Sequence, residues 1–415
     1  MSSTIVTNIG QLVNVTDKPV LLRGKELAKL PCIENAFLTI TDGLIDSYGA
    51  MKELNLNSIS HYDEEVNANA VTVLPCWCDS HTHLVFTGSR EKEFVDKIKG
   101  LSYAKIAARG GGILNSAKRV NETSEENLYE EALTRLYELM KLGTGAIEIK
   151  SGYGLSVEGE LKMLRVIKKL KATAPIPIKA TFLGAHAFPV QYKYDQEAYI
   201  DLLLNEMLPV IVEEELADYI DVFCEEGFFD IDQTERICKE GMRYGLKVKI
   251  HANQLSLSGA VQLGVQLGAL SVDHLETMDE DAIQQLATSE TIGTLLPTAS
   301  YFLCMPYQPA RRLLSGGAAI ALATDYNPGS SPSGNMNMVV SMSCIQMKLL
   351  PEEAINAATI NGAFAMELEK EVGSITKGKR ANLIFTKPIP SLAYLPYAFG
   401  TNLVDKVMIS GKWVD

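Results

Sequence analysis

The chain has no apolar stretch long enough to cross a bilayer as a helix, and it is short of basic residues. Lys and Arg number 38 against 51 Asp and Glu, a formal net charge of -13. Sequence-independent binding to nucleic acid and adsorption to anionic membranes both rest on clustered Lys and Arg, so no nucleic acid and no membrane is expected as a partner. A small-molecule substrate is the better expectation. If it is an anion, the overall field does not steer it in, and individual cations must hold it. Evenly paired cysteines are also missing. The seven, at 32, 76, 78, 224, 238, 304 and 344, are mostly scattered through apolar runs, the pattern of reduced, buried thiols. Met1 to Thr16 carries no Lys or Arg and no unbroken apolar core, so it does not read as a secretory signal, and a cytoplasmic location is expected. No internal repeat or low-complexity tract stands out.

What is present is an ordinary globular composition, 47% hydrophobic and 21% charged over 415 residues, enough for one large domain and a smaller one. Eight short apolar runs, each ending in polar or Gly residues and followed by a helical stretch, occupy the middle of the chain. They are Val71 to His83, Thr144 to Lys150, Ile178 to Ala185, Ile220 to Glu225, Val248 to Ala252, Leu270 to His274, Ile292 to Pro297 and Ala319 to Asp325. Strands alternating with helices pair in parallel, and eight such units close into a (β/α)8 barrel, an α/β fold. A doubly wound sheet is the structural alternative. The barrel is favoured because polar, chemically useful residues sit at the C-terminal ends of most runs, where barrel enzymes collect their sites.

The first connection, residues 84 to 143, holds two helical patterns, Tyr103 to Ala108 and Glu125 to Leu142, and is long enough to fold over the site as a lid. Both ends of the chain read instead as strands, with a hairpin signal at Asp42-Gly43. Neither end is large enough alone. The expected organisation is a β-sandwich domain from residues 1–74 and 366–415, with a catalytic barrel from 75–365 between its halves.

His81 and His83 stand two apart at the end of the first run, so strand geometry puts both imidazoles on one face, able to meet one metal ion. Two half-buried, hydrogen-bonded histidines are the bland alternative. A structural zinc site joining Cys76, Cys78, His81 and His83 is disfavoured, because on one strand the cysteines face opposite to the histidines. His251 closes the fifth run, His274 the sixth and Asp325 the eighth, while His186 follows the third. Any one of them reads as a core residue, but so many metal-competent side chains at one rim are hard to explain as packing. Three imidazoles and a carboxylate suit one zinc or iron ion, which lowers the pKa of a bound water to ~7 and polarises a carbonyl.

The motifs CDSHTH, KIHAN, SVDHLE and LATDYNPG resemble those of the amidohydrolase superfamily. Within it, HTHLVFTGSREKEF, YAKIAARGGGI, EIKSGYGL, TFLGAHAFP, DVFCEEG, IHANQLS and ATDYNPGSSP resemble the imidazolonepropionase family, and PEEAINAATINGA and GSITKGKRANLIF extend the superfamily likeness towards the C-terminus. The resemblance implies hydrolysis of the cyclic amide of 4-imidazolone-5-propanoate to N-formimidoyl-L-glutamate by a metal-bound hydroxide, and a homodimer. It implies one divalent metal, Zn2+ or iron, held by His81, His83, His251 and Asp325. It puts Arg90, Tyr153, His186 and Gln254 around the substrate, with Asn327, Gly329 and Ser330 in a loop that grips substrate or product. Asp325 would carry the proton from water to the departing ring nitrogen, and His274 would help hold the tetrahedral intermediate.

Residue chemistry agrees with these roles. Arg90 offers a planar fork for a carboxylate, although a solvated arginine beside Glu91 and Glu93 is its default reading. Tyr153 sits in a Gly-Tyr-Gly turn, and His186 and Gln254 can hydrogen-bond a ring carbonyl or nitrogen. Gly110-Gly111-Gly112 follows no strand and lacks a phosphate-binding Lys-Ser or Lys-Thr pair, so it reads as a helix stop or hinge. Lys150 and Glu225 end other strands and would serve a second metal only if the lysine were carboxylated; one metal is the expectation. The rival enzyme is an aromatic-ring deaminase on the same barrel, such as one acting on guanine or cytosine. Those relatives have a proton-shuttling glutamate three residues after the fifth-strand histidine, where this chain has Gln254. A metal-free scaffold is disfavoured by the full set of competent ligands.

Overall fold

The structure, a computed structural model, describes residues 2–55, 61–101 and 111–414. Eight parallel strands follow one another in chain order around a nearly closed barrel: β6 (Trp77–Thr82), β7 (Thr144–Lys150), β8 (Ile178–Ala185), β9 (Tyr219–Cys224), β10 (Lys247–Ala252), β11 (Ser271–His274), β12 (Ile292–Leu295) and β13 (Ile320–Leu322). This order excludes the doubly wound alternative. The seam between β13 and β6 is closed just past the strand ends, where Asp325 N–H donates to His81 C=O (3.0 Å) and His83 N–H to Tyr326 C=O (2.9 Å). Asp79 stitches the same seam, its carboxylate accepting from the backbone N–H (3.0 Å) and hydroxyl (2.6 Å) of Thr324.

Helices between the strands start where the sequence supplies a cap. Ser156 caps Val157–Thr173, Asp230 with Gln233 forms a capping box for Ile231–Arg243, and Asp279 caps Glu280–Ala287. Their apolar faces, for example Leu161, Leu164, Ile167 and Leu170, pack on the strands in one large core. In the long first connection the helix Glu125–Lys141 lies where its pattern indicates, and Glu91–Ile98 and Ile113–Glu122 add to it. The pattern at Tyr103 to Ala108 lies outside the described residues, as does Gly110. Gly112 precedes a helix: at φ 84° it lies before Ile113, and its N–H donates to the Glu93 carboxylate (3.1 Å).

The first apolar run is two strands, not one. Residues Thr72–Pro75 form β5, which pairs with β1 (Ser3–Val13) and with β14 (Leu383–Thr386) in a second sheet, and the chain crosses into the barrel at Cys76. Proline lacks the N–H that a continuing ladder needs, so Pro75 suits a strand end. Beyond the break Cys78 faces outward onto Ala363 and Met366 while His81 faces inward, which removes the structural-zinc alternative. The second sheet runs β16 (Lys412–Trp413), β15 (Val404–Ile409), β14, β5, β1, β2 (Cys32–Thr41), β3 (Leu44–Ala50), with β4 (Glu64–Asn67) also on β1. The terminal unit is thus built from both ends of the chain, by hydrogen bonding as one continuous sheet that forks at β1. It has its own core of Val6, Leu38, Val73, Leu383 and Phe385. Asp42 and Gly43, at φ 49° and 81°, make the β2–β3 hairpin turn.

Candidate active site

Every strand-end residue singled out from the sequence lies at the same rim of the barrel. His81, His251 and His274 end strands and are buried, while His83 and Asp325 lie just beyond β6 and β13. Two overlapping groups bring one ligand atom per residue within 4.8 Å of one another: His81, His83 and Asp325, and His81, His251 and His274. His81 belongs to both. Ring centroids are 4.5 Å apart for His81 and His251 and 5.2 Å for His251 and His274. Asp325 reaches this position with φ at 54°, unusual for a non-glycine residue, and Oδ1 stands 3.5 Å from Nε2 of both His81 and His83.

Two carboxylates that the sequence reading passed over hold the imidazoles from behind. Asp273 Oδ2 lies 2.7 Å from His81 Nδ1, and Asp221 Oδ2 lies 3.0 Å from His251 Nδ1. A carboxylate behind Nδ1 is the usual backing of a metal-binding histidine; Asp273 makes that hydrogen bond to His81, and Asp221 stands close behind His251 without hydrogen-bond geometry. Nε2 of His81 and of His251 has no hydrogen-bond partner among the described residues. Two buried, unpartnered imidazole nitrogens beside a carboxylate fit a divalent cation and little else. Burial drives the His251 imidazole well below its ordinary pKa despite Asp221, which favours the neutral, ligating form. Burial raises the Asp325 carboxyl, but the adjoining His81 and His83 imidazoles outweigh this and hold it well below the usual range.

Beneath the cluster, Lys150 donates to Glu148 (2.7 Å) and Asp221 (2.8 Å) and stands 3.4 Å from Asp273. Lys249 also pairs with Glu148. Burial pulls the Lys150 ammonium down, yet the carboxylates of Asp221, Glu148 and Asp273 raise it well above its ordinary value. An ammonium so held is not the free amine that carboxylation needs. Glu225 is engaged as well, accepting from Leu255 N–H (2.8 Å) and the Ser256 hydroxyl and so fixing the loop that carries Gln254.

The remaining predicted residues surround the rim. His186 stacks on His83 at 5.2 Å, its Nδ1 3.0 Å from Gly152 C=O, and Tyr153 stands edge-on to both rings. The turn carrying Tyr153 is tied down by buried Glu160, which accepts from the N–H groups of Gly152, Gly154 and Leu155 (2.7–2.9 Å). Asn327 folds its own loop: its oxygen accepts from Gly329 and Ser330 N–H, each at 2.8 Å, and its amide donates to Asp325 C=O (2.6 Å). Ser330 Oγ then donates to Asp325 Oδ2 (3.0 Å). Arg90 is part-buried and pairs with Glu93 through Nε (2.9 Å) and Nη2 (2.6 Å). It lines a cavity of about 660 Å³ walled by Phe86, Phe94, Phe302, Tyr326 and Pro328.

The chain has known relatives along its whole length. The profile of the amidohydrolase family matches residues 72–414. An imidazolonepropionase of Flavobacterium johnsoniae is 58% identical over 410 residues, covering 99% of both chains, and one of Christiangramia forsetii is 55% identical over 411 residues, again 99% of both. Among solved structures, an adenosine deaminase from Xanthomonas campestris with bound zinc superposes with a TM-score of 0.68 at 16% identity, over 99% of this chain and 92% of that one. At that identity the likeness speaks for the fold alone. With such identity along its whole length, the chain belongs to the amidohydrolase family and, within it, to the imidazolonepropionases.

Proposed function

We propose that this enzyme opens the ring of 4-imidazolone-5-propanoate by hydrolysing its cyclic amide, giving N-formimidoyl-L-glutamate in histidine degradation. The substrate follows from family membership. The observation that carries the chemistry is the pair of unpartnered Nε2 atoms on His81 and His251, each backed by a carboxylate, beside His83 and Asp325. His81, His83, His251 and Asp325 would hold one divalent ion, zinc or iron being equally suited to these donors. When bound, such an ion brings the pKa of a water ligand to ~7 and polarises an amide carbonyl.

The chain's own residues do the rest. Asp325, kept ionised and oriented by Ser330 Oγ, takes the proton of the attacking water and passes it to the departing ring nitrogen. His274 donates to the carbonyl oxygen as charge builds there. Arg90 pairs with the propionate, and His186, Gln254, Tyr153 and the Asn327–Gly329–Ser330 loop hold the ring and its substituent. A homodimer and a cytoplasmic location complete this reading; no helix among the described residues is long and apolar enough to cross a membrane. The test is direct. Imidazolone propionate made in situ by urocanase should disappear on addition of the enzyme, followed as loss of imidazolone absorbance. Persistence of that absorbance with metal-loaded protein refutes the proposal.

A further inference from the structure

Glu276 has no part in the reaction as described, yet it is buried beside it. Its side chain is 1% exposed, Oε1 accepts from Ser300 Oγ (3.1 Å) and lies 3.5 Å from His274 Nδ1, and Oε2 has no hydrogen-bond partner among the described residues. A buried carboxylate oxygen left without a donor is costly and calls for an explanation in function or in a nearby positive charge. The backbone is also strained to put it there. His274 and Leu275 have φ of 88° and 68°, a region that side-chain-bearing residues seldom enter and that persists only where the surroundings enforce it. The surroundings do so: Leu275 N–H donates to Ala252 C=O (3.1 Å) and Thr277 N–H to Asn253 C=O (2.9 Å), folding the chain back so that Glu276 comes to Nδ1 of His274.

We propose that Glu276 is a positioning residue for His274, taking the Nδ1–H of that ring and so holding Nε2 towards His81, His251 and the reacting carbonyl. Asp273 and Asp221 stand in the same relation to His81 and His251, so three rim imidazoles share one device. At 3.5 Å the contact is long, and catalytic contacts of this kind tighten when substrate binds. Such a carboxylate also stabilises the ring when both nitrogens carry protons, the form that can donate from Nε2 as the carbonyl oxygen gains charge. This rests on the proposed role of His274 in the ring-opening reaction.

The test uses full-length, zinc-loaded protein with ¹⁵N-labelled histidine, in wild type, Glu276→Gln and Glu276→Ala, the His274 signals being assigned by their loss in His274→Asn. Wild type and Glu276→Gln should show His274 protonated on Nδ1, whereas Glu276→Ala should show tautomer exchange. With imidazolone propionate, Glu276→Ala should lose about 10–100-fold in kcat with KM changed less than about threefold, and Glu276→Gln should recover part of the loss. An unchanged His274 spectrum in Glu276→Ala overturns the proposal, as does a loss confined to KM or a Gln variant no better than Ala. If Glu276→Ala does not fold, Ser300→Ala replaces it, and a partial shift of the same His274 signal is then required. If wild type fails to consume the substrate, the reaction assignment falls while the tautomer result still decides the positioning claim.

Discussion

Gly329 and Arg90 occupy one another's space: a Cβ on residue 329 would overlap Nη1 of the Arg90 guanidinium, so the fork reaches its place only because residue 329 has no side chain. The overlap is with the far end of a flexible side chain, so adding the methyl group should leave the fold intact while pushing Arg90 aside. Gly329→Ala is expected to keep its melting temperature within a few degrees and to raise KM about tenfold, as loss of part of a charged hydrogen bond should. Steady-state kinetics beside a thermal melt would check this, and an unchanged KM would free the Asn327–Ser330 loop of any share in binding.

In the proposed reaction Arg90 reads the substrate's carboxylate at a distance from the scissile bond, so its contact would serve ground state and transition state alike. Arg90→Met should cost about one to two orders of magnitude in kcat/KM, mostly through KM, since a hydrogen bond to a charged group is worth roughly 1.5–3 kcal/mol. Arg90→Lys should recover only part, lacking the bidentate fork. An analogue with an uncharged amide in place of the carboxylate is the control: wild type should handle it poorly and Arg90→Met should barely discriminate. Fully additive penalties would show that other groups hold the propionate.

Asp325→Asn preserves shape but cannot carry a proton, so turnover should be abolished while the fold and substrate binding persist. More than a few per cent of the wild-type kcat in that variant would place the base elsewhere, with His274 first to be tested.

One equivalent of divalent metal per chain is expected, because the ammonium of Lys150, bonded to Glu148 and Asp221, is not free to become the carboxylated ligand a second ion would need. Elemental analysis after dialysis is the measurement. Two equivalents, both needed for activity, would require Lys150 to leave its carboxylates.

Asp79 adds a signature in pH. Burial pushes its carboxyl up to about 7, against the lowering effect of its bonds to Thr324 and of His81. Between pH 4 and 7 the folded metal-free protein therefore holds a proton that the unfolded chain has released, so this group's contribution to stability falls as pH rises. Asparagine accepts the Thr324 N–H equally well and does not titrate. In urea titrations of metal-free protein, the pH slope of Asp79→Asn should differ from wild type by about 1.4 kcal/mol per pH unit in that window, the variant gaining relative stability towards pH 7. Identical slopes would mean that Asp79 ionises normally.

The barrel was legible because its strands end in polar residues able to hold a metal ion. Thr144–Lys150 and Ile178–Ala185 are read to the residue, and His81, His83, His251 and Asp325 advertise themselves by type and position. The carboxylates behind the histidines were not read, although Glu148, Lys150, Asp221, Lys249 and Asp273 all interrupt otherwise apolar strands. The signal lay in parity: Lys249 shares its face with His251, and in the ladder Lys249 aligns with Asp221 and His251 with Asp273. Glu160 and Glu276 gave less warning, because a carboxylate that organises loop backbone looks in sequence like any solvated charge. The division of the first run at Cys76 was hidden for another reason: which sheet a strand joins is set by partners far along the chain, here Ile384 for Leu74.

That last pairing bears on how the protein is made. β5 needs β14, so the second sheet stays incomplete while the ribosome is still at work, and the barrel's first strand hangs from it by the one residue Cys76. A nascent chain can therefore assemble most of its barrel before the sheet at its base exists. The edge of β5 that faces β14 therefore has no strand partner until residues 383–386 are synthesised, and its closure is a long-range pairing.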